Sequence, residues 1–361
     1  MSLWAAAVAL AVGAAPVSYS DLLREYAAGD RAAAVAELAA FDDGPIAREL
    51  DALHDRAGAL CSSCDPAAIQ SALRAAVMLH TDKDELDRRP LATPGDYTPT
   101  CGPPVHALFA ERALGGLLAD AQGREFARRW YVAMALRSLG DLCFEEGRRW
   151  AMAGLKRFAK DKELLLARGL LAEAIATITQ LRAPAAASAT PGDIDQLREQ
   201  QAAGRSLLTE AAGSFQQALA ADPAGPEASL HLGRVRFRLG QPDAALSALA
   251  PVLARSREPS WLYLASLFAG RVHEASGRAR DAERAYENAA KADPEGQAAA
   301  MALAHVRLMA GETGETRAIL DKELGRTVPR THADPFWNYQ VGAARRAEPL
   351  FEALRDEVNT R

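Results

Sequence analysis

RARDAERAYENAAKADP, residues 278–294, reads as one amphipathic helix closed by Asp293-Pro294. Ala282, Tyr286 and Ala289 follow one another at helical spacing and share one face. The stretch LLTEAAGSFQQALAADP, residues 207–223, has the same shape, with Ala211, Phe215, Ala218 and Pro223 in the matching places. Between them, residues 228–254 supply Leu232-Gly233, Gly240 and Ala245. Gly240, Gly277 and Gly311 then recur at intervals of 37 and 34 residues, the length of a repeating helix pair.

Each recurring residue has a physical reason. Helices stack closely only where the contact positions are small. A tight turn between two helices calls for positive φ, which glycine adopts without strain. Proline closes a unit because it cannot continue a helix. Each pair buries its apolar face only against its neighbours, so several units are required.

These residues resemble the tetratricopeptide repeat family, over about Leu207 to Leu324. In that resemblance Gly233, Gly270 and Ala304 are the small residues of the first helices, and Gly240, Gly277 and Gly311 the turns. The third unit departs from the pattern with Thr316 and Leu320 in place of alanine and an aromatic. The middle unit carries three extra residues around Glu258 to Trp261. Two degenerate units lie upstream. Residues 130–161 hold Gly140 and Gly147, aligned here with Gly233 and Gly240, and residues 19–41 have the same helix, Gly-Asp, helix form.

The expected fold is therefore all-α, an α-solenoid of antiparallel helix pairs. Alanine dominates the apolar residues and aromatics make up only 6%, which suits close helix packing and makes poor strands. Residues 1–18 are read as a signal peptide or a first helix, and 19–86 as an N-terminal helical part with degenerate repeats. Residues 87–104, with five prolines, are an irregular loop. Residues 105–334 form the array, interrupted by an insertion at 183–192, and 335–361 a capping helix. The run Leu3–Ala15 has signal-peptide length, though no Lys or Arg precedes it. A leader implies a periplasmic or secreted setting, and its absence a cytoplasmic one. The run is too short for a membrane span.

Net charge is −5, with the charges interspersed, so nothing favours nucleic acid as a partner. No phosphate loop, nucleophile motif or zinc-hydrolase helix is present in the chain. No cofactor or resident metal is expected, and no catalysis. Cys61 and Cys64, in CSSCD, carry three readings. One is a disulfide, between themselves or from one of them to Cys101, which needs an oxidising compartment. The others are a metal or a redox site with His80, for which four closed ligands or a suitable helix N-terminus are missing. His80 is placed at a helix C-terminus, and Cys143 is read as a buried apolar residue.

The resemblance implies that the first helix of each pair lines a concave groove. Arg234, Arg271 and His305 each follow the small position, and Phe237, Arg238 and Glu274 stand a turn further along. The expected function is protein–protein interaction or scaffolding, with a peptide or protein segment held in this groove. An acidic segment would suit its arginines. The other reading takes them as ordinary solvated arginines.

Overall fold

The computed structural model describes residues 18–55, 65–87, 101–102, 104–181, 191–327, 329–339 and 341–360. Cys61, Cys64, the leader and most of both proposed loops lie outside them. The described residues form seventeen α-helices and no strand, an all-α solenoid of antiparallel pairs. The chain divides into two compact units, residues 1–130 with 350–361, and residues 131–349.

The first unit contains α1 (Tyr19–Ala27), α2 (Arg31–Leu38), α3 (Asp43–His54), α4 (Pro66–Asp87) and α5 (Val105–Leu117). Ser18 caps α1 through a capping box with Asp21, and Gly29 turns the chain into α2 at φ +97°. The central α4 packs against α1, α2, α3 and α5. His80 lies inside α4 and is fully buried, not at a helix end as its polar neighbours suggested. Helix α4 runs on for seven residues because Thr81, Lys83 and Asp84 are themselves buried against other elements. Helix α6 (Ala121–Gly140) crosses from the first unit into the second.

The second unit continues with α7 (Phe144–Arg157), α8 (Lys162–Leu181), α9 (Pro191–Ala221), α10 (Pro226–Arg238) and α11 (Pro242–Arg255). Then follow α12 (Pro259–Ala275), α13 (Ala279–Ala292), α14 (Gln297–Met309) and α15 (Thr313–Leu324). From α7 onward each helix packs on the next, and α8, α10, α12 and α14 also pack side by side. The three extra residues of the middle unit lengthen α12 at its start, where Pro259 holds the first turn.

The turn glycines behave as expected: Gly240, Gly277 and Gly311 have φ of +77°, +70° and +83°. The small positions are as tight as the repeat demands. A Cβ on Gly270 would lie 2.3 Å from the Tyr286 ring, and one on Gly233 2.6 Å from Leu249. Gly169 stands in the same relation to Phe215, at 2.4 Å. Thr316 replaces alanine by folding its hydroxyl back onto the Glu312 carbonyl.

The unit at residues 130–161 has a different register from the one expected. Its turn is at Asp141–Cys143, and Leu142 holds the left-handed conformation at φ 61°. Gly147 lies inside α7 and faces the Ala135 carbonyl across the turn, as Gly233 faces the Ala245 carbonyl. The tail is not one capping helix. It forms α16 (Pro335–Asn338), a 3₁₀ turn (Gly342–Arg346) and α17 (Ala347–Asn359), most of which belongs to the first unit.

Candidate functional site

The first helices of the pairs, α8, α10, α12 and α14, present one continuous face of the second unit. Its centre is a buried charge. Glu173 of α8 sits in the apolar run LLLARGLLAEAIAT, where a bare carboxylate could not remain. His231 of α10 donates from Nδ1 to Glu173 Oε2 at 2.7 Å, and Arg234, one turn on, donates to Oε1 at 3.0 Å. Arg238, a further turn along, lies 4.0 Å from the same oxygen and donates to Thr177 Oγ1 at 2.9 Å. Burial pushes the Glu173 carboxyl up, but His231, Arg234 and Arg238 outweigh it and hold it below the ordinary glutamate value. Burial lowers the Arg238 guanidinium.

Beside this network is a cavity of about 150 Å³, lined by Gly233, Arg234, Phe237, Arg238, Phe268, Arg271, Val272 and Phe336. The structure thus brings together four of the six groove residues named from sequence: Arg234, Phe237, Arg238 and Arg271. Glu274 and His305 are not on its wall. His305 Nδ1 lies 2.8 Å from Glu274, which also accepts the Tyr286 hydroxyl at 2.5 Å. Arg271 is exposed.

Sequence reading missed half of the site. Phe268 is a core position of α12, and Tyr339 and Phe336 come from α16 and its C-terminal edge, after the array. Tyr339 stacks on His231 with ring centres 4.2 Å apart, and the Arg234 guanidinium lies 4.7 Å from its ring centre. The signal for Glu173 was present: an acidic residue within a long apolar helical run. Nothing in FWNY marked Tyr339.

The cysteine and histidine candidates fall elsewhere. Cys101 and Cys143 are both disulfide-bonded, so the reading of Cys143 as a plain buried apolar residue is corrected. The Tyr19 hydroxyl is 2.8 Å from His80 Nε2, and His106 Nδ1 is 3.4 Å from His80 Nδ1. Among the described residues no group of three or more His, Cys, Asp or Glu is placed to hold a metal ion. No described helix is long and apolar enough to cross a membrane.

Tetratricopeptide repeat families match residues 204–267 and 267–329, the stretch that supplies α10 to α15 and their turn glycines. Residues 204–329 are tetratricopeptide repeats. Similar solved structures include a MamA fragment from Desulfovibrio magneticus RS-1, 18% identical. It covers 55% of this chain and 94% of that one, at a TM-score of 0.42. Pseudomonas aeruginosa PilF is 14% identical and covers 66% and 89%, at 0.43. A thermophilic tetratricopeptide protein of Thermus thermophilus is 18% identical and covers 50% and 97%, at 0.28. No curated protein matches the chain. The repeats themselves support a protein-interaction scaffold.

Proposed function

We propose that the second unit is a non-catalytic binding module whose inner face takes an acidic segment of a protein partner. The convergence of Arg234, Arg238 and Arg271 with Phe237 and Phe268 on one cavity carries this reading. Glu173 is shared by Arg234 and Arg238, and Arg271 stands exposed on the rim, on a protein of net charge −5. A carboxylate can accept two parallel hydrogen bonds from an arginine, and aromatic walls hold the apolar part of a peptide.

Titrating labelled acidic and basic peptides of equal length against the protein tests this. Acidic peptides should bind, and the pair Arg238→Ala and Arg271→Ala should weaken them by tenfold or more. Equal binding of both classes, or no effect of the pair, rejects it.

The disulfides at Cys101 and Cys143 support a periplasmic or secreted setting. Protein from its native source should then leave both thiols unalkylated until reductant is added; free thiols would place the chain in a reducing compartment.

A further inference from the structure

The inner face is already occupied, and by the chain itself. After α15 the backbone turns back and runs across the first helices of the pairs. Arg330 donates to Glu323 at 2.8 Å and to the Glu295 carbonyl at 2.9 Å, and Thr331 donates twice to the Glu295 carboxylate. Asp334, buried, is the first anchor. Its Oδ2 accepts from the Tyr263 hydroxyl at 2.8 Å and from the Ala298 backbone N–H at 2.7 Å. Oδ1 accepts from the Phe336 N–H. Phe336 is the second anchor, edge-on to Phe268. Tyr339 is the third, stacked on His231, edge-on to Phe268 and beneath Arg234. Trp337 between them is 68% exposed and does not help to hold the segment.

This strap has the features of a bound peptide. It is a four-residue helix with three side-chain anchors, and its flanks are tied by ion pairs such as Arg346 with Glu227. It also fits incompletely. The cavity beside Phe336 stays open, and among the described residues Arg271 on its rim has no ion pair.

We propose that residues 334–339 are a tethered stand-in for the partner. The inner face accepts a segment with an acidic residue followed by aromatics at the second and fifth places, and a partner displaces the strap by adding a carboxylate that reaches Arg271. An incoming segment would inherit the Tyr263 and Ala298 donors and the Phe268, His231 and Arg234 ring contacts. It would also gain an ion pair that the strap lacks. The tether raises the strap's effective concentration, so a partner must bind better than the strap in contact terms alone.

This rests on the inner face being the binding surface, yet the two readings fail separately. A strap that never opens still leaves the Arg271 rim for an acidic peptide, and a strap that opens need not favour acidic partners.

The test uses a fluorescein-labelled peptide with the sequence of residues 331–343, THADPFWNYQVGA, titrated by anisotropy against the full chain. The double variant Phe336→Ala, Tyr339→Ala clears the site. It should bind the peptide at least tenfold more tightly than the wild-type chain, and adding Phe268→Ala should abolish the gain. A double variant with wild-type helical content that binds no better overturns the proposal. Should it lose helical content, hydrogen exchange of the wild-type chain decides. Amides of 334–339 should exchange at least tenfold faster than those of α12 from Tyr263 to Val272. Equal protection shows a permanent core element and overturns the proposal.

Discussion

Glu173 and His231 meet at 2.7 Å with both side chains 2% exposed, joining α8 to α10 through a charge sealed from water. A buried carboxylate of this kind holds its partners as much as they hold it. Glu173→Gln keeps the shape but leaves Arg234 and Arg238 without their counter-charge. Removing one partner of a buried pair costs about 3–5 kcal/mol. The urea midpoint of the second unit, followed by circular dichroism, should fall accordingly, and an unchanged midpoint would show the network to be energetically idle. Because the Glu173 pKa is held low, its contribution is complete above the ordinary value of 4.5 and fades as pH falls through the lowered one.

Leu142 sits where the better-formed repeats place glycine. Its side chain is 53% exposed, so it returns little burial for the left-handed backbone it must adopt. Left-handed geometry costs a non-glycine residue about 1–2 kcal/mol. Leu142→Gly should therefore raise the thermal midpoint, and a lowered one would mean that the exposed leucine has a packing role after all.

Two glycine-to-alanine changes should have opposite signs. Gly270→Ala drives a methyl into the Tyr286 ring, and overpacking of this kind costs about 1–3 kcal/mol. Gly213, inside α9, has nothing within 4 Å of a built Cβ. There alanine should stabilise by about 0.5–1 kcal/mol through better helix propensity. Parallel denaturation curves of the two variants check this, and like signs would contradict the packing described.

His80 makes the first unit acid-sensitive. Burial, and then the charges of His106 and Lys83, lower its pKa from 6.5 to about 3. Between those values the unfolded chain binds a proton that the folded chain refuses. Stability should thus be full above pH 6.5 and decline as pH falls toward 3. His80→Gln should flatten this dependence in pH-resolved melting, and an identical slope in the variant would assign the acid sensitivity to other groups.

The array was legible because its signals are steric. Positive φ at Gly240, Gly277 and Gly311 and the tight contacts at Gly233 and Gly270 admit almost no other residue. The same logic failed at residues 130–161, where Gly147 serves a helix contact, Gly140 faces Ala344 and the turn falls on a leucine. His80 was misplaced because HTDKDELD reads as a solvated helix end, whereas Thr81 in fact accepts the Trp130 indole N–H at 2.8 Å. The site was half legible. Arginines at repeat spacing announce themselves, but a strap such as DPFWNY has no periodicity, and its place depends on distant partners such as Tyr263 and His231.

Chain order gives the division of the protein a temporal meaning. Arg355 of α17 donates to Asp82 of α4, which also accepts the Tyr26 hydroxyl, and Phe351 and Leu354 are fully buried in the first unit. A ribosome delivers α1 to α5 before the second unit and α17 after it. The repeats can close as they emerge, pair by pair. The first unit must wait, its socket beside Asp82 unfilled, until α17 emerges. A nascent chain stalled before Leu350 would therefore carry a folded array and an unfinished N-terminal unit.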